Sequence, residues 1–218
     1  MDARSLILSL SCLVLALTML VYGILFIRRH KNYLLGVEWL IVAVSATNML
    51  LFQALGYPLG YEISMFLDAF SRGFGIPIIT ILGLMAVTRG FRPSALVDVL
   101  IFVISIPATF LLRIDAFAGV LPYFYVLMGL LFSGYLIHFA RLLLAYGERT
   151  QALSVLLVMV GMLVIALIYD FYEIPGEATN VVLNFFNIAL LTWACMFALL
   201  YYAYGALARA KARAAPVS

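Results

Sequence analysis

The chain alternates between long apolar stretches and short polar separators. Seven stretches approach or exceed the roughly 20 mostly apolar residues that a helix needs to cross a lipid bilayer. These stretches are 5–27, 33–56, 62–88, 95–112, 119–144, 151–172 and 178–206. The separators carry turn residues and charges, and each is too short to hold a soluble domain. The pattern predicts an all-α, polytopic membrane protein with one seven-helix transmembrane bundle over 1–206 and a tail over 207–218.

Composition indicates that lipid is the solvent of most of this chain. Of its 218 residues, 67% are hydrophobic and 11% are charged, whereas a soluble domain has about 25% charged residues. A soluble domain of this size has too little interior to bury so much apolar surface. We therefore expect a lipid bilayer to be its main partner. Its basic residues form no patch interleaved with aromatic residues, so we expect no nucleic acid partner.

Lysine and arginine lie at alternate separators, which predicts an orientation in the membrane. One side of the predicted bundle carries Arg28, Arg29, Lys31, Arg89, Arg92, Arg141, Arg149, Arg209, Lys211 and Arg213, and the other carries only Arg4 and Arg113. Because basic residues accumulate on the cytoplasmic side, the N-terminus is predicted outside and the C-terminus in the cytoplasm. The compact loops favour a bacterial inner membrane, with plasma and organellar membranes as alternatives.

The third predicted span carries two ionisable residues near its centre, Asp68 and Arg72. An ionisable side chain in the hydrocarbon region costs roughly 2.5–3.5 kcal/mol on insertion scales, so it persists only beside a partner or water. Residues four apart share a helix face, so the two are predicted to pair. Their pairing is either a structural salt bridge or part of a binding or ion-coupling site. Pro77, in the same span, predicts a kink.

Further polar residues are predicted at a similar depth in other spans. They are Asn48 in the second span, Asp170 in the sixth, and Asn180, Asn184 and Asn187 in the seventh. At 100° per residue, the three asparagines form one stripe along a helix. We expect these groups to converge on an outward-facing polar pocket centred on Asp68 and Arg72. The alternative for the stripe is hydrogen bonding between helices.

A second polar group is predicted nearer the cytoplasm. It consists of Glu38 in the second span, Asp98 in the fourth and His138 in the fifth. A histidine beside carboxylates titrates near neutral pH. A proton path between the two polar groups is therefore one hypothesis, although the sequence does not place these residues in contact.

The sequence lacks the residues that several kinds of enzyme and cofactor site require. His30 and His138 are the only histidines, and they do not supply the facing pair that a membrane haem needs. The chain has no HExxH, GxSxG or phosphate-binding glycine loop. We therefore expect no enzyme activity, no cofactor and no metal.

Seven helices in this orientation resemble the layout of the rhodopsins. Retinal binding in that family requires a lysine within the last helix to form the Schiff base. The only lysines here are Lys31 and Lys211, both predicted at the cytoplasmic edge. The resemblance is therefore one of topology alone, and it does not imply a retinal pigment.

The buried polar groups favour a small carrier or channel for a polar or ionic solute. Arg72 would hold an anionic group, or Asp68 would hold a cation or proton. The alternative is a membrane sensor or partner-binding subunit whose buried polar residues serve helix packing. Seven helices without a detectable repeat are few for an alternating-access carrier, and a homo-oligomer would supply additional structure.

Overall fold

Seven long helices build the computed structural model, which describes residues 3–172 and 184–215. In chain order they are α1 (Ala3–His30), α2 (Tyr33–Leu55), α3 (Pro58–Thr88), α4 (Ala95–Leu112), α5 (Leu121–Ala145), α6 (Arg149–Phe171) and α7 (Phe185–Ala214). Each is long and apolar enough to cross a membrane, and the described ranges contain no strand. The prediction of an all-α chain with seven such helices is confirmed.

The helix bounds differ most from the predicted ones in α3 and α7. Helix α3 begins at Pro58 rather than at residue 62, because proline lacks only an N–H that would be unpaired at the first helical position. Helix α7 begins at Phe185, after Asn184 in an extended conformation, and continues to Ala214. The predicted tail is therefore helical over residues 207–214. The predicted start of the seventh span, at residues 178–183, lies outside the described residues.

Six helices surround the main apolar core, and α4 lies at its edge. Helix α1 packs against α2 and α7, α2 against α3, α3 against α5, α5 against α6, and α6 against α7. Helix α4 packs against α3, and its buried residues are Ser105 and Thr109. Their hydroxyls donate to carbonyls of their own helix, at 2.7 and 2.8 Å. The core that positions the polar residues is therefore formed without α4.

Glycines allow α1 and α2 to approach closely. A Cβ placed on Gly23 would lie 3.0 Å from the carbonyl oxygen of Gly36, and small residues at such crossings are common between membrane helices. Nearby, Phe26 of α1 packs edge to face against Trp39 of α2, with ring centroids 4.5 Å apart. Both rings are fully buried, so this contact anchors the first helix pair.

The two ends of the bundle differ in charge. We call the end at which α1 begins the acidic end, and the opposite end the basic end. Contacts between helix ends define the basic end, because Lys211 Nζ donates to Thr88 O at 2.8 Å and Arg213 pairs with Glu148 at 2.8 Å. The end of α7 therefore lies beside the end of α3 and beside the separator between α5 and α6. The basic end carries Arg28, Arg29, Lys31, Arg89, Arg92, Arg141, Arg149, Arg209, Lys211 and Arg213.

Large apolar side chains are exposed on the outside of every helix. Examples from α1 to α7 are Leu17, Val44, Ile78, Leu96, Leu130, Leu157 and Leu191. In α4, Leu96 is 70% exposed. Soluble monomers rarely expose apolar patches beyond a few hundred Å², so this exterior is suited to an apolar solvent.

Asn32 joins three helices at the basic end. Its Oδ1 accepts from the backbone N–H of Leu35 at 3.2 Å and so caps α2. Its Nδ2 donates to Gly83 O in α3 at 2.7 Å and to the Tyr204 hydroxyl in α7 at 3.3 Å. The side chain is buried, so losing it leaves polar groups of three helices without this partner.

We expect Asn32→Ala to lower the free energy of unfolding by about 2–4 kcal/mol, because it removes a helix cap and two buried hydrogen bonds. Asn48→Ala is the matched control, since the Asn48 amide donates to Val44 O of its own helix, and its effect should stay within about 0.5 kcal/mol. Both are measured by denaturant unfolding in one detergent. Equal losses for the two variants would contradict the role assigned to Asn32.

Candidate functional site

Helix α3 changes its winding where the candidate site lies. Residues Ser71–Ile79 form a π-helical segment that contains Pro77. Proline has no N–H to donate, and π-type turns within helices often occur at functional sites. Near the end of the segment, Gly75 O accepts from both the backbone N–H and the hydroxyl of Thr80, the latter at 3.1 Å. The sequence predicts a kink at Pro77, and the structure shows this wider winding there.

Arg72 lies on this segment and has partners in two helices. Its Nη2 donates to Asp170 Oδ2 of α6 in a short ion-paired hydrogen bond. Its Nη1 lies 3.8 Å from Asp68 Oδ2, one turn away in α3. The predicted pairing with Asp68 is therefore the longer of the two. Asp170 is the closer partner, so the charge of Arg72 links α3 to α6.

Two tyrosines pack against the guanidinium of Arg72. Its Cζ lies 3.7 Å from the ring centroid of Tyr169 in α6 and 3.9 Å from that of Tyr125 in α5. Such cation–π contacts contribute about 2 kcal/mol or more where water is excluded. The Tyr169 hydroxyl also donates to Asp68 Oδ2 at 3.2 Å. We call the group formed by Arg72, Asp68, Asp170, Tyr125 and Tyr169 the Arg72 cluster.

The Arg72 cluster contains two carboxyl groups and one guanidinium. With all three ionised, its formal charge is −1. The side chain of Arg72 is 12% exposed, and those of Asp68 and Asp170 are 20% and 18% exposed. Interactions between charges are strong in such surroundings because little water screens them. In that ionisation state, one negative charge of the cluster is not balanced by its own arginine.

A cavity of about 230 Å³ adjoins the cluster, and we call it the main cavity. It lies between α1, α2, α3, α6 and α7, and two residues of the cluster with opposite charges, Asp68 and Arg72, line it. Its other lining residues are Leu8, Leu15, Val42, Ser45, Ala46, Met49, Gln53, Tyr61, Ser64, Met65, Leu67, Ser71, Ile76, Tyr169, Phe186, Ala189, Leu190, Trp193 and Phe197. The wall is thus mainly apolar and aromatic, with its charges on α3.

A smaller cavity of about 40 Å³ lies between α3, α5, α6 and α7. Arg72, Ile76, Tyr169 and Trp193 line both cavities. These four side chains therefore form the partition between them. The Arg72 cluster therefore borders both cavities.

Aromatic side chains close the main cavity toward the basic end. Phe197 lines the cavity and packs against Trp39, with ring centroids 5.5 Å apart. Trp39 packs in turn against Phe26, and all three side chains are at most 2% exposed. Side chains packed as closely as these three rings leave few voids larger than a water molecule.

The asparagines predicted to line the pocket have other roles. Asn184 precedes α7 in an extended conformation, and its Oδ1 accepts from the backbone N–H of Asn187 at 3.0 Å. The expected stripe is not formed there, because Asn184 caps the helix instead of lying on its face. Asn184 and Asn187 are buried, but neither lines the main cavity. Asn180 lies outside the described residues.

Asn48 also differs from its expected role. Its amide donates to Val44 O at 2.8 Å, and it is not one of the residues that line the main cavity. Gln53, one helical turn and a half further along α2, does line it. Asn48 and Gln53 therefore differ in position, since the two amides point from different faces of α2.

The second predicted group, Glu38, Asp98 and His138, is not brought together. Within the described residues, no hydrogen bond or ion pair joins any two of them. Glu38 lies instead beside the Arg72 cluster, because Ser71 Oγ donates to its Oε1 at 2.8 Å. Glu38 is fully buried, and its Oε2 has no hydrogen-bond partner in the described part of the chain.

The carboxyl group of Glu38 packs against the backbone of α3 at Gly75. A Cβ on Gly75 would overlap both carboxyl oxygens. A larger residue at this position of the π-helical segment would therefore require the Glu38 carboxyl group to shift. Among the described residues, Ser71, which lines the main cavity, is the one that connects the cavity wall to this buried carboxyl by a hydrogen bond.

Sequence patterns did not indicate the aromatic residues that contribute to the site. Tyr125, Tyr169 and Trp193 are unremarkable in a chain with 14% aromatic residues. The available signal was the proximity of Tyr169 to Asp170 and of Trp193 to the predicted polar stripe, and neither signal specifies a face. Among the described residues, no group of three or more His, Cys, Asp or Glu side chains is arranged to hold a metal ion.

Comparison with known proteins adds no relative to this picture. No family model matches the chain, and no curated protein or solved structure matches it at a significant level. The site must therefore be interpreted from its own geometry.

We expect Gly75→Ala to destabilise the protein by about 1–3 kcal/mol, because the added methyl group overpacks the contact with Glu38. Gly134→Ala in α5 is the control, since a Cβ there meets no heavy atom within 4 Å. That control should be neutral or more stable by up to about 1 kcal/mol, from helix propensity. Denaturant unfolding in detergent measures both.

A double-mutant cycle with Glu38→Ala tests the cause of this loss. The penalty of Gly75→Ala should shrink when the Glu38 carboxyl is absent. An unchanged penalty in the double variant would show that the methyl group is excluded by something other than Glu38.

Proposed function

We propose that this chain is a multi-pass membrane carrier that binds a small polar or ionic solute in the main cavity. The observation that carries this proposal is a cavity of about 230 Å³ between the helices, with Asp68 and Arg72 in its wall. Buried charges that serve only helix packing are stable when side chains close around them. A residual space beside them instead leaves charged groups accessible to a second molecule.

A carrier fits this arrangement better than an open channel. The aromatic side chains of Phe197, Trp39 and Phe26 fill the bundle between the main cavity and the basic end. A solute would need a rearrangement of this packing to continue. Binding at a central site that is closed on one side is the arrangement on which alternating access depends.

The membrane placement is part of the same proposal. The exposed apolar exterior of the seven helices favours insertion into lipid. The ten basic residues at the basic end favour that end for the cytoplasm, so we propose that the N-terminus is outside and the C-terminus inside. Compact loops and this arginine-rich end favour a bacterial inner membrane as its location.

Cysteine accessibility tests the orientation. In a variant lacking Cys12 and Cys195, we expect a membrane-impermeant maleimide to label Gly119→Cys in intact cells, because residue 119 precedes α5 at the acidic end. Phe91→Cys, between α3 and α4 at the basic end, should be labelled only after the membrane is permeabilised. A Cβ on Gly119 meets no atom within 4 Å, and the side chain of Phe91 is 42% exposed. The reverse labelling pattern would invert the proposed orientation.

Solute movement is tested in proteoliposomes by solid-supported membrane electrophysiology with a panel of small organic cations, anions and zwitterions. We expect solute-dependent currents from the wild-type chain and currents at least about 10-fold smaller from Asp68→Asn, since a loss of about 1.4 kcal/mol in binding is tenfold. Glu62→Gln is the control. It makes the same change of charge in α3 at a side chain that is 64% exposed.

The folded yield of each variant separates this function from helix packing. We expect Asp68→Asn to fold with normal yield, because Asp170 still neutralises Arg72. Arg72→Gln should fold poorly, since removing one partner of a buried pair costs about 3–5 kcal/mol. If correctly inserted wild-type protein gives no current with any member of the panel, the proposed carrier function is contradicted. That result would favour a sensor or partner-binding subunit.

A further inference from the structure

We propose that the main cavity selects a monovalent organic cation with an apolar body, such as a protonated amine or a quaternary ammonium ion. This inference rests on the proposed function and names the ligand class of the same site. It is carried by the presence of two carboxyl groups for one guanidinium in the Arg72 cluster and by the aromatic and apolar wall beside it.

The two carboxyl groups of the cluster have different positions. Asp170 makes the short ion-paired hydrogen bond to Arg72 and does not line the main cavity. Asp68 lies farther from the guanidinium, at 3.8 Å, and lines the cavity. The charge left unbalanced by Arg72 is therefore the one that faces the empty space, so a cation there completes the neutralisation of the cluster.

An anionic ligand would meet the opposite situation. With its own charge added, the formal charge of the cluster would change from −1 to −2, in surroundings where little water screens it. Arg72 is also already engaged, because Asp170 accepts its hydrogen bond and the rings of Tyr125 and Tyr169 lie within 3.9 Å of its Cζ. An anion would have to share this guanidinium with Asp170 and lie beside Asp68, so it would meet the repulsion of two carboxyl groups.

The wall beside Asp68 favours an organic cation over a metal ion. Hard metal cations take six or more oxygen ligands, whereas this wall is formed mainly by apolar side chains. Tyr61, Trp193 and Phe186 contribute aromatic surface, and the faces of such rings attract alkylammonium groups. Met49 and Met65 add flexible, polarizable surface for an apolar body.

The volume of the cavity limits the size of this ligand. About 230 Å³ is below the roughly 300–1,000 Å³ of pockets that enclose drug-sized molecules. A single aromatic ring or a few short alkyl groups around one nitrogen is therefore the expected size. Three probes of similar size and different charge are benzyltrimethylammonium, benzyl alcohol and phenylacetate.

Direct binding to the full chain in nanodiscs of neutral lipid tests the inference independently of transport. By isothermal titration calorimetry, benzyltrimethylammonium should bind with a Kd at least about 10-fold lower than either other probe, and Asp68→Asn should weaken it at least about 10-fold. Glu62→Gln should bind like the wild type. The probe should also change tryptophan fluorescence, and Trp193→Phe should remove that change, since Trp39 is the only other tryptophan.

A second variant guards against misfolding of Asp68→Asn. Ala46→Leu fills the main cavity without changing its charge, so it should also abolish binding of the cation in a folded protein. Tighter binding of phenylacetate or benzyl alcohol, or cation binding that survives both variants, would overturn the inference. Cation binding without any solute current would refute the carrier and leave the ligand class standing. Anion currents without cation binding would support the carrier and refute the proposed ligand class.

Discussion

The burial of one guanidinium in an apolar bundle is the constraint on which the site depends. Arg72 is 12% exposed, and an arginine cannot escape this cost by losing its proton. The chain meets the constraint with partners from three helices: Asp68 in α3, Asp170 in α6 and two tyrosines, Tyr125 and Tyr169. The packing of α3, α5 and α6 and the electrostatics of the site therefore have one cause.

The winding of α3 brings the parts of the site together. The π-helical segment Ser71–Ile79 holds Ser71 and Arg72 at the cavity wall and Gly75 against the carboxyl group of Glu38. Pro77 removes a backbone donor from the same segment, so its hydrogen bonding is weaker than that of a regular helix. A helix with this local weakness is held in place by its side-chain partners, which makes its position sensitive to the charges around Arg72.

The sequence predicts the helices well and their faces poorly. Length and hydropathy alone identify seven apolar spans, and the bounds of α4 match the predicted 95–112. The depth of Asp68 and Arg72 also follows from their place in the third span. Side-chain partners depend on helix rotation, which apolar spans do not specify because lipid and protein interior select similar residues. Asp170 was thus expected near the site but not as the closer partner, and Asn184 caps α7 instead of lying along it.

The cavity and the ion pair have to be considered together to interpret the site. An ion pair between α3 and α6 is explained by packing alone, and an apolar cavity is explained by imperfect packing alone. Their contact is not explained by either, because it leaves a carboxyl group at the wall of a space that a second molecule can occupy. Asp68 occupies this position, with Tyr169 as its hydroxyl donor and Arg72 at 3.8 Å. A positively charged ligand with an apolar body would make dispersion contacts in this space and bring a positive charge to Asp68 at once.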